Sequence, residues 1–302
     1  MAGQAPRVLV CGDVINDILA QTPEPLARGD DNPAVIRTRP GGSAANQAAW
    51  MASLGLDVVF AGRAGAQDAG FHRQELARFG VEARLAVDES AATGSIVVLI
   101  GPDGERTMIT DRGANLRLRP ADVPAALLHG VALLHLTGYS FFAPAPREVA
   151  LGLIAEARRL RVPFTIDPGS AAFLGQLAAG AFLRWTEGAA VCFPNRDEAA
   201  VLTGVADGPP ADPLAMAAEL ARHYGAIALK LGPDGAVLAA ADAPPVHVPA
   251  RAASVRDTTG AGDAFCAGFL AAWLTGAASL AATTAGIDAA ALAVSALGGR
   301  PA

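Results

Sequence analysis

The chain has 302 residues, a net charge of −6 and a hydrophobic fraction of 52%. No apolar run reaches the roughly 18 residues that a membrane-spanning helix needs, and no basic cluster predicts binding to nucleic acid or to an anionic membrane. The length suits one large α/β domain, and no repeat or low-complexity linker marks a second, so we expect a single domain over residues 1–302. The short polar segment 1–6 precedes the first apolar run, which predicts no cleaved signal sequence and a cytoplasmic location.

Short apolar runs alternate with longer Ala/Leu-rich helical patterns along most of the chain. Continuously apolar strands between helices are typical of a parallel sheet that is covered on both faces. The predicted strands are 8–11, 58–61, 131–136, 164–166, 189–193 and 227–231, and the predicted helices are 43–54, 147–160, 196–202 and 213–224. We therefore expect an α/β fold with a doubly wound, mostly parallel sheet and helices on both faces.

Two segments, about 18–39 and 93–111, interrupt this alternation. In the second, strand-like runs at 95–100 and 106–110 flank the turn Gly-Pro-Asp-Gly at 101–104, which predicts a β-hairpin. Together the two insertions predict a small β-sheet that projects from the core as a lid. The exposed edge of such a sheet needs protection, so we expect a homodimer formed through the lid.

The segment Asp-Thr-Thr-Gly-Ala-Gly-Asp at 257–263 leads into residues 264–274, which are apolar around nearly the whole helix. A buried helix that begins with small residues offers free backbone N–H groups and a favourable dipole to an anion such as a phosphate. Asp263 in its first turn is suited to accept the proton of an attacking hydroxyl as a general base. The helix dipole predicts a lowered pKa for Asp263. A capped helix start with no chemistry is the alternative.

Near the amino terminus, the segment 39–46 contains two adjacent glycines, Gly41 and Gly42, that allow close approach of a ligand to the backbone. Asn46, on the helix that follows, can both donate and accept hydrogen bonds with vicinal hydroxyls. Asp13 and Asp17 follow the first strand, at the edge where open α/β sheets bind ligands. We expect Asp17 to hold substrate hydroxyls, and Asp13 to do the same or to stabilise a turn.

Two further motifs follow predicted strands at the same edge of the sheet. Asn195 and Glu198 open a helix and can organise hydrated Mg²⁺, which keeps most of its waters. Lys230, Gly232 and Gly235 form a loop in which the glycines allow backbone approach to a nucleotide. A helix cap and a hairpin turn, respectively, remain the structural alternatives.

These motifs together resemble those of the ribokinase-like, or PfkB, carbohydrate kinases, over nearly the whole chain. The strongest match is DTTGAGDAF at 257–265, followed by GGSAAN at 41–46 with Gly55 and Gly65 at suitable spacing. The resemblance implies a doubly wound core with a β lid, and ATP-dependent transfer of the γ-phosphoryl group, with Mg²⁺, to a hydroxyl of a small sugar.

The resemblance also implies a role for each motif residue. Asp263 is then the base, and Gly260, Ala261 and Gly262 form the anion hole. The implied substrate contacts are Asp17, Gly41, Gly42 and Asn46, and the implied nucleotide and magnesium contacts are Asn195, Glu198, Lys230, Gly232 and Gly235. Asp257, Thr259, Ala293 and Gly298 match the positions that bind a monovalent cation such as K⁺ in many relatives.

Two departures from the family pattern bear on the substrate. Ile15 stands where ribokinase-like sequences often carry an asparagine, which disfavours ribose, and the segment 167–172 lacks the arginine common in fructokinases. Aromatic residues at Tyr139, Phe141 and Phe142 keep a nucleoside substrate as the alternative, although such residues usually belong to the core. A catalytically silent sugar-binding regulator is a second alternative.

The remaining signals exclude other classes of protein. The first strand is not followed by a dinucleotide-binding glycine fingerprint, and the sequence has no GxxxxGK string of a P-loop. The five histidines lack the spacing of a zinc site. The three cysteines, at positions 11, 192 and 266, stand in apolar contexts and are expected to be buried thiols.

Overall fold

The computed structural model describes residues 5–102, 106–177, 179–206, 208 and 211–302. The strands are β1 Arg7–Cys11, β2 Ile15–Gln21, β3 Val35–Gly41, β4 Asp57–Gly65, β5 Glu82–Asp88, β6 Thr93–Ile100, β7 Arg106–Gly113, β8 Leu133–Thr137, β9 Phe164–Asp167, β10 Val191–Cys192, β11 Ile227–Lys230, β12 Ala236–Ala240 and β13 Ala243–Val248. The α-helices are α1 Ser43–Ser53, α2 Ala69–Ala77, α3 Pro144–Leu160, α4 Ala171–Gln176, α5 Ala179–Thr186, α6 Arg196–Thr203, α7 Pro213–Leu220, α8 Ala261–Leu274 and α9 Ser279–Val294.

The larger sheet carries the fold, in the order β13-β12-β11-β10-β9-β8-β1-β4-β5. The strands from β11 to β5 pair in parallel, whereas β12 and β13 pair antiparallel at one end. One apolar core lies under α3 to α7, and a second lies under α1, α8 and α9 on the opposite face. Strands buried on both sides are apolar throughout, and this explains why the doubly wound α/β fold is readable from the sequence.

Helix α8 begins at Gly260, whose φ of 76° lies in the left-handed region that favours glycine. Its middle is buried on every side, from Ala264 to Leu270. The ring of Phe269 packs edge-on against Phe193 at a centroid distance of 5.2 Å. The prediction of a buried helix with its amino end at 260–263 is therefore confirmed.

The second sheet is small, with the strand order β3-β2-β6-β7, and forms a hydrogen-bonded sheet separate from the larger one. Its strands extend the two predicted insertions by a few residues. β6 and β7 pair antiparallel, as the hairpin prediction requires, while residues 103 and 104 of the predicted turn lie outside the described residues. Arg112 on β7 reaches the core, where its guanidinium lies 4.4 Å from the ring centre of Tyr139.

Several predicted boundaries and elements differ from the structure. The strand predicted at 189–193 is reduced to Val191–Cys192, and the helix predicted at 213–224 ends at Leu220 because the chain turns there. Tyr224 then folds inward, with its hydroxyl 2.8 Å from that of Thr186. The sequence patterns missed three strands and four helices of the described chain, namely β5, β12, β13, α2, α4, α5 and α9.

The structure also bears on the expected state of the cysteines and on whether any helix could span a membrane. All three cysteines are buried and free, as expected. Within the described residues, every helix is too short or too polar to traverse a bilayer.

Candidate active site

A cavity of about 370 Å³ lies at the carboxyl ends of β9, β10 and β11, against the amino end of α8. This is the edge at which doubly wound sheets bind their ligands. Eleven residues line the cavity, and they are Ser43, Tyr139, Asp167, Gly169, Asn195, Glu198, Lys230, Gly232, Gly260, Gly262 and Asp263. Seven of them were predicted as site residues from three separate motifs, so the fold brings these motifs together.

A larger depression, of about 470 Å³, lies at the opposite edge of the sheet, where 128–132 meets 160–163. It contains none of the predicted site residues and is lined mainly by apolar groups and backbone. A large volume alone does not indicate catalysis, so the cavity at the amino end of α8 is the candidate active site.

The amino end of α8 is held close to the end of the chain. A Cβ on Gly260 would lie 2.5 Å from the Cα of Gly299, so only glycine fits there. The backbone of Gly262 faces the cavity, and a Cβ on it would lie 3.5 Å from Nζ of Lys230. The helix start leaves its first N–H groups without helical acceptors, and with Lys230 beside it the site suits a bound anion.

Asp263 lies at the floor of this cavity and accepts hydrogen bonds from three side chains of α1. Ser43 Oγ and Gln47 Nε2 donate to its Oδ1 at 2.7 Å and 3.0 Å, and Asn46 Nδ2 donates to its Oδ2 at 3.1 Å. Burial raises the pKa of Asp263 to about 7, against the opposing effect of these donors. The predicted lowering of the pKa is therefore wrong, because burial and the charge of Asp167 outweigh the hydrogen bonds to the carboxylate.

Lys230 forms a buried ion pair with Asp167 on the other side of the cavity. Its Nζ lies 3.0 Å from Asp167 Oδ1 and 3.8 Å from the sulfur of Cys266. Burial opposes the charge of Lys230, but Asp167, Cys266 and Glu198 together raise its pKa above the ordinary value. The ammonium ion is therefore retained inside the cavity, beside the amino end of α8.

Asn195 and Glu198 form a capping box at the start of α6. The Glu198 carboxylate accepts from the backbone N–H and the side-chain amide of Asn195, each at 2.9 Å, and Asn195 Oδ1 accepts from the Glu198 N–H at 2.8 Å. Both side chains also line the cavity. Burial raises the pKa of Glu198 to about 7, although Lys230 opposes this. The cap suggested as the structural alternative is present, and it holds a carboxylate against the cavity.

The predicted substrate residues lie next to the lid. Asp17 on β2 is so close to Gly41 that a Cβ there would meet its carboxylate at 2.0 Å. Gly42 has a φ of 95° and packs on the backbone of Asp13. Asn46 is buried and donates directly to the carboxylate of Asp263. Burial and the charge of Asp13 raise the pKa of Asp17 to about 6.

Asp13 has partners from three elements, which fit the turn role that the sequence left open. Its Oδ1 accepts from the N–H of Ala44 at 3.2 Å and from the hydroxyl of Thr137 at 3.5 Å. Its other oxygen lies 3.5 Å from a guanidinium nitrogen of Arg112. Asp13 therefore joins the end of β1 to the start of α1 and to the lid.

Gly235 is the one predicted nucleotide residue that does not line the cavity. Its φ is 93°, and a Cβ would lie 2.1 Å from the carbonyl oxygen of Val248. Gly235 thus permits the tight turn between β11 and β12 beside β13. Gly232, by contrast, lines the cavity.

Three of the four residues predicted to bind a monovalent cation lie together. Asp257 accepts from the backbone N–H groups of Thr259 and Gly298, each at 2.9 Å. The carbonyl of the fourth, Ala293, accepts from Ala296 at the end of α9. Within the described residues, no cluster of three or more His, Cys, Asp or Glu side chains suits a metal ion.

Sequence reasoning missed four polar residues of the site, namely Ser43, Gln47, His135 and Asp167. Ser43 and Gln47 lie within or directly after the GGSAAN motif, and Asp167 directly follows a predicted strand. Their position beside a recognised motif or a predicted strand was therefore the only signal in the sequence that could have identified these residues. His135, one of the five histidines that lack the spacing of a zinc site, bonds the side chain of Gln47 through its Nε2.

The aromatic residues after β8 divide between core and cavity. Phe141 is fully buried and packs against Phe182 and Trp185. Tyr139 lines the cavity, and Phe142 is only partly buried, stacked on Phe173 at a centroid distance of 4.9 Å. Phe141 therefore belongs to the core and Phe142 packs against it, as expected, whereas Tyr139 faces the cavity.

Known proteins resemble this chain over nearly its whole length. The family model for pfkB family carbohydrate kinases matches residues 5–302. An ATP-dependent ribose-1-phosphate kinase from Halopiger xanaduensis is 30% identical over 278 residues, covering 89% of this chain and 85% of the relative. A fructokinase from Klebsiella pneumoniae is 28% identical over 281 residues, covering 88% and 83%. The solved adenosine kinase from Sinorhizobium meliloti has the same fold, with a TM-score of 0.85 at 24% identity, covering 99% of this chain and 96% of that one.

Proposed function

Because the chain belongs to the pfkB family of carbohydrate kinases, and so transfers phosphoryl groups to hydroxyl acceptors, we propose that Asp263 is its catalytic base and that ATP is its phosphoryl donor. Membership of the family confirms the resemblance found in the sequence, together with the ribokinase-like fold and the kinase activity on a sugar or a nucleoside.

One observation carries the role of Asp263. Its carboxylate and the glycine-rich start of α8 open onto the same cavity, so a proton acceptor and an anion-binding helix end meet at one point. A pKa near 7 leaves a large fraction of Asp263 ionised at neutral pH, with more affinity for a proton than an exposed aspartate.

The proposed reaction takes place at this point. As the O–H bond of the acceptor breaks, its proton moves to Asp263, and the oxygen forms a bond to the γ-phosphorus. The bond from that phosphorus to the bridging oxygen breaks, and ADP leaves with the electron pair. The N–H groups at Gly260 to Gly262 and the ammonium ion of Lys230 stabilise the negative charge of the transferring group.

The nucleotide end of the cavity lies towards α6. Lys230 and Gly232 line this end and suit the phosphates of ATP. Glu198 is 2% exposed and offers carboxylate oxygens, the donors that Mg²⁺ prefers, with Asn195 holding them in place. Magnesium bound there neutralises phosphate charge during transfer.

The acceptor end lies between Asp263 and the lid. Asp17, Gly41, Gly42 and Asn46 support this assignment, since they join the lid to α1 and Asn46 bonds the base. Asp17 accepts a hydrogen bond from a hydroxyl group of the substrate and so fixes its orientation. A small sugar or sugar derivative is the proposed acceptor class.

A second candidate, a nucleoside acceptor, is favoured by the aromatic group beside the cavity. Phe142 and Phe173 stack with their planes 23° apart, and Tyr139 packs edge-on to both. Such a partly exposed stack suits the flat face of a base. Adenosine and D-fructose therefore distinguish the two candidates.

We further propose that a monovalent cation such as K⁺ binds beside the anion hole. The convergence of Thr259 and Gly298 on Asp257, just before α8, supports this site. Turnover in potassium salts should exceed turnover in tetramethylammonium salts of equal ionic strength. Equal turnover in the two would remove the cation from the account.

A homodimer through the lid is supported by exposed apolar side chains on its outer strands. Val35, Ile36, Met108 and Ile109 are 56%, 66%, 62% and 59% exposed. Light scattering should give twice the chain mass, and Met108→Glu should give monomers. Val246→Glu, at an exposed site outside the lid, is the matched control. A monomeric wild-type protein would contradict the proposal.

The proposed function is tested by ADP release with ATP and Mg²⁺ against sugars, sugar acids, sugar phosphates and nucleosides. One acceptor should stimulate ADP release strongly in the wild type and very weakly in Asp263→Asn. ATP and acceptor binding without any acceptor-dependent ADP release would instead support the silent regulator.

A further inference from the structure

Gln47 lies between the two charged groups of the active site. Its side chain is fully buried on α1, and its amide nitrogen is 3.0 Å from Asp263 Oδ1 and 2.8 Å from Asp167 Oδ2. Asp167 in turn holds Lys230 at 3.0 Å. One amide thus connects the base to the ion pair that lines the opposite wall.

The orientation of this amide is fixed by hydrogen bonding. Carboxylates only accept hydrogen bonds, so the nitrogen of Gln47 must face Asp263 and Asp167, and its oxygen must face His135. His135 Nε2 then carries the proton and donates to Gln47 Oε1. Its bare Nδ1 accepts from the hydroxyl of Thr165 at 2.7 Å. Burial lowers the pKa of His135 to about 4, so the ring is neutral and keeps this tautomer.

The amide has two hydrogens, and the two carboxylates take both. Ser43 Oγ, which donates its own hydrogen to Asp263, also lies 3.1 Å from the same nitrogen and accepts a share of one of these hydrogens. Without the amide, two buried carboxylates would face each other with no donor between them, which is unfavourable for charged groups.

We propose that Gln47 is a positioning residue that holds the base Asp263 and the Asp167–Lys230 pair as one unit, so that proton acceptor and ammonium ion face the transferring phosphoryl group together. This inference rests on the proposed role of Asp263. Gln47 itself does not touch the reacting atoms and acts through the carboxylates that it holds.

The position of Lys230 explains how this unit acts on the transferring phosphoryl group. Lys230 lies beside Gly262 at the anion-binding end of α8, and Asp167 fixes it there. A shift of Asp167 would move the ammonium ion as well as the base, and misplacement of about 1 Å can cost about a hundredfold in rate.

Several titratable groups face Asp263, so a pH profile must be read against all of them. They are Asp167 at the end of β9, Lys230 at the end of β11, Tyr139 after β8, Cys266 on α8 and, through Gln47, His135 on β8. None of these residues is itself replaced in the Gln47 variants.

The test is Gln47→Met, which keeps the length of the side chain and removes the donor. Wild type and variant are compared with ATP, Mg²⁺ and the best acceptor among D-fructose, ribose 1-phosphate and adenosine. We expect kcat to fall by about ten- to a hundredfold, with both KM values nearly unchanged. The acid limb of the kcat/KM profile should move up by about one pH unit, since the lost donor favoured the ionised base.

A second variant, Gln47→Glu, keeps the test decisive if the first one folds poorly. It retains the size and a partner for His135, but it adds a carboxylate beside Asp263, so the acid limb should move up further. Thr186→Val, which removes a buried hydroxyl far from the cavity, is the matched control and should retain the wild-type profile.

Asp263→Asn, measured in parallel, separates the two levels of the account. If it remains active, the proposed role of Asp263 is wrong. If it is inactive while folded Gln47→Met and Gln47→Glu keep the wild-type kcat and pH profile, only the positioning role of Gln47 is overturned. A change confined to KM or to the melting temperature would also overturn that role.

Discussion

The raised pKa of Asp263 predicts that this proposed base destabilises the free protein. Burial shifts this pKa from its usual 3.8 to about 7. Because the folded state keeps the proton that the unfolded state loses, stability falls as the pH rises through this window and is level above it. At about 1.4 kcal/mol per pKa unit, the full shift corresponds to a loss of about 4 kcal/mol in the free energy of unfolding.

That figure is an upper value, since the carboxylate is partly exposed to the cavity and water screens its charge. Asp263→Asn removes the ionisation while keeping the shape of the side chain. From pH 5 to pH 8, we expect the free energy of unfolding of Asp263→Asn to rise by about 1–3 kcal/mol relative to that of the wild type. Most of the improvement should appear below pH 7.

Urea unfolding at several pH values, in the absence of nucleotide, measures this difference. Asp31→Asn, at an exposed position in the lid, is the control and should follow the wild-type curve. A constant difference between Asp263→Asn and the wild type from pH 5 to pH 8 would refute the reasoning, since Asp263 would then have an ordinary pKa.

Three further substitutions test other parts of the account. Gly260→Ala should lower the free energy of unfolding by about 2 kcal/mol or more and reduce turnover. The new Cβ would lie 2.5 Å from Gly299, and the φ of this position is 76°. Urea unfolding measures the change in stability, and ADP release measures the change in turnover. Phe142→Ala should raise KM for adenosine and not for D-fructose if the acceptor is a nucleoside, as initial rates will show. Phe269→Ala should cost about 4 kcal/mol in urea unfolding, because its ring is fully buried against Phe193.

The features that could be predicted from the sequence are mainly local ones. The glycine run before α8 and the paired glycines before α1 fix backbone conformations, and both were found with their helices. β13 was missed because it is an edge strand with two prolines, which strand patterns exclude and an edge position tolerates.

The features that could not be predicted depend on long-range contacts. Gln47 meets Asp167 across 120 residues and Asp263 across 216, so no sequence pattern connects them. The direction of the Asp263 pKa shift was mispredicted for a related reason. The dipole is a property of one helix, whereas burial depends on how α1, β9 and α8 pack together.

The central claim is most directly tested by single-turnover phosphoryl transfer from γ-labelled ATP to the best acceptor, in wild type and Asp263→Asn. Calorimetric titration of ATP and acceptor shows whether both still bind. The account predicts unchanged affinities and label transfer slowed by a factor on the order of hundreds or more. Equal transfer rates in the two proteins would contradict it and remove Asp263 as the base.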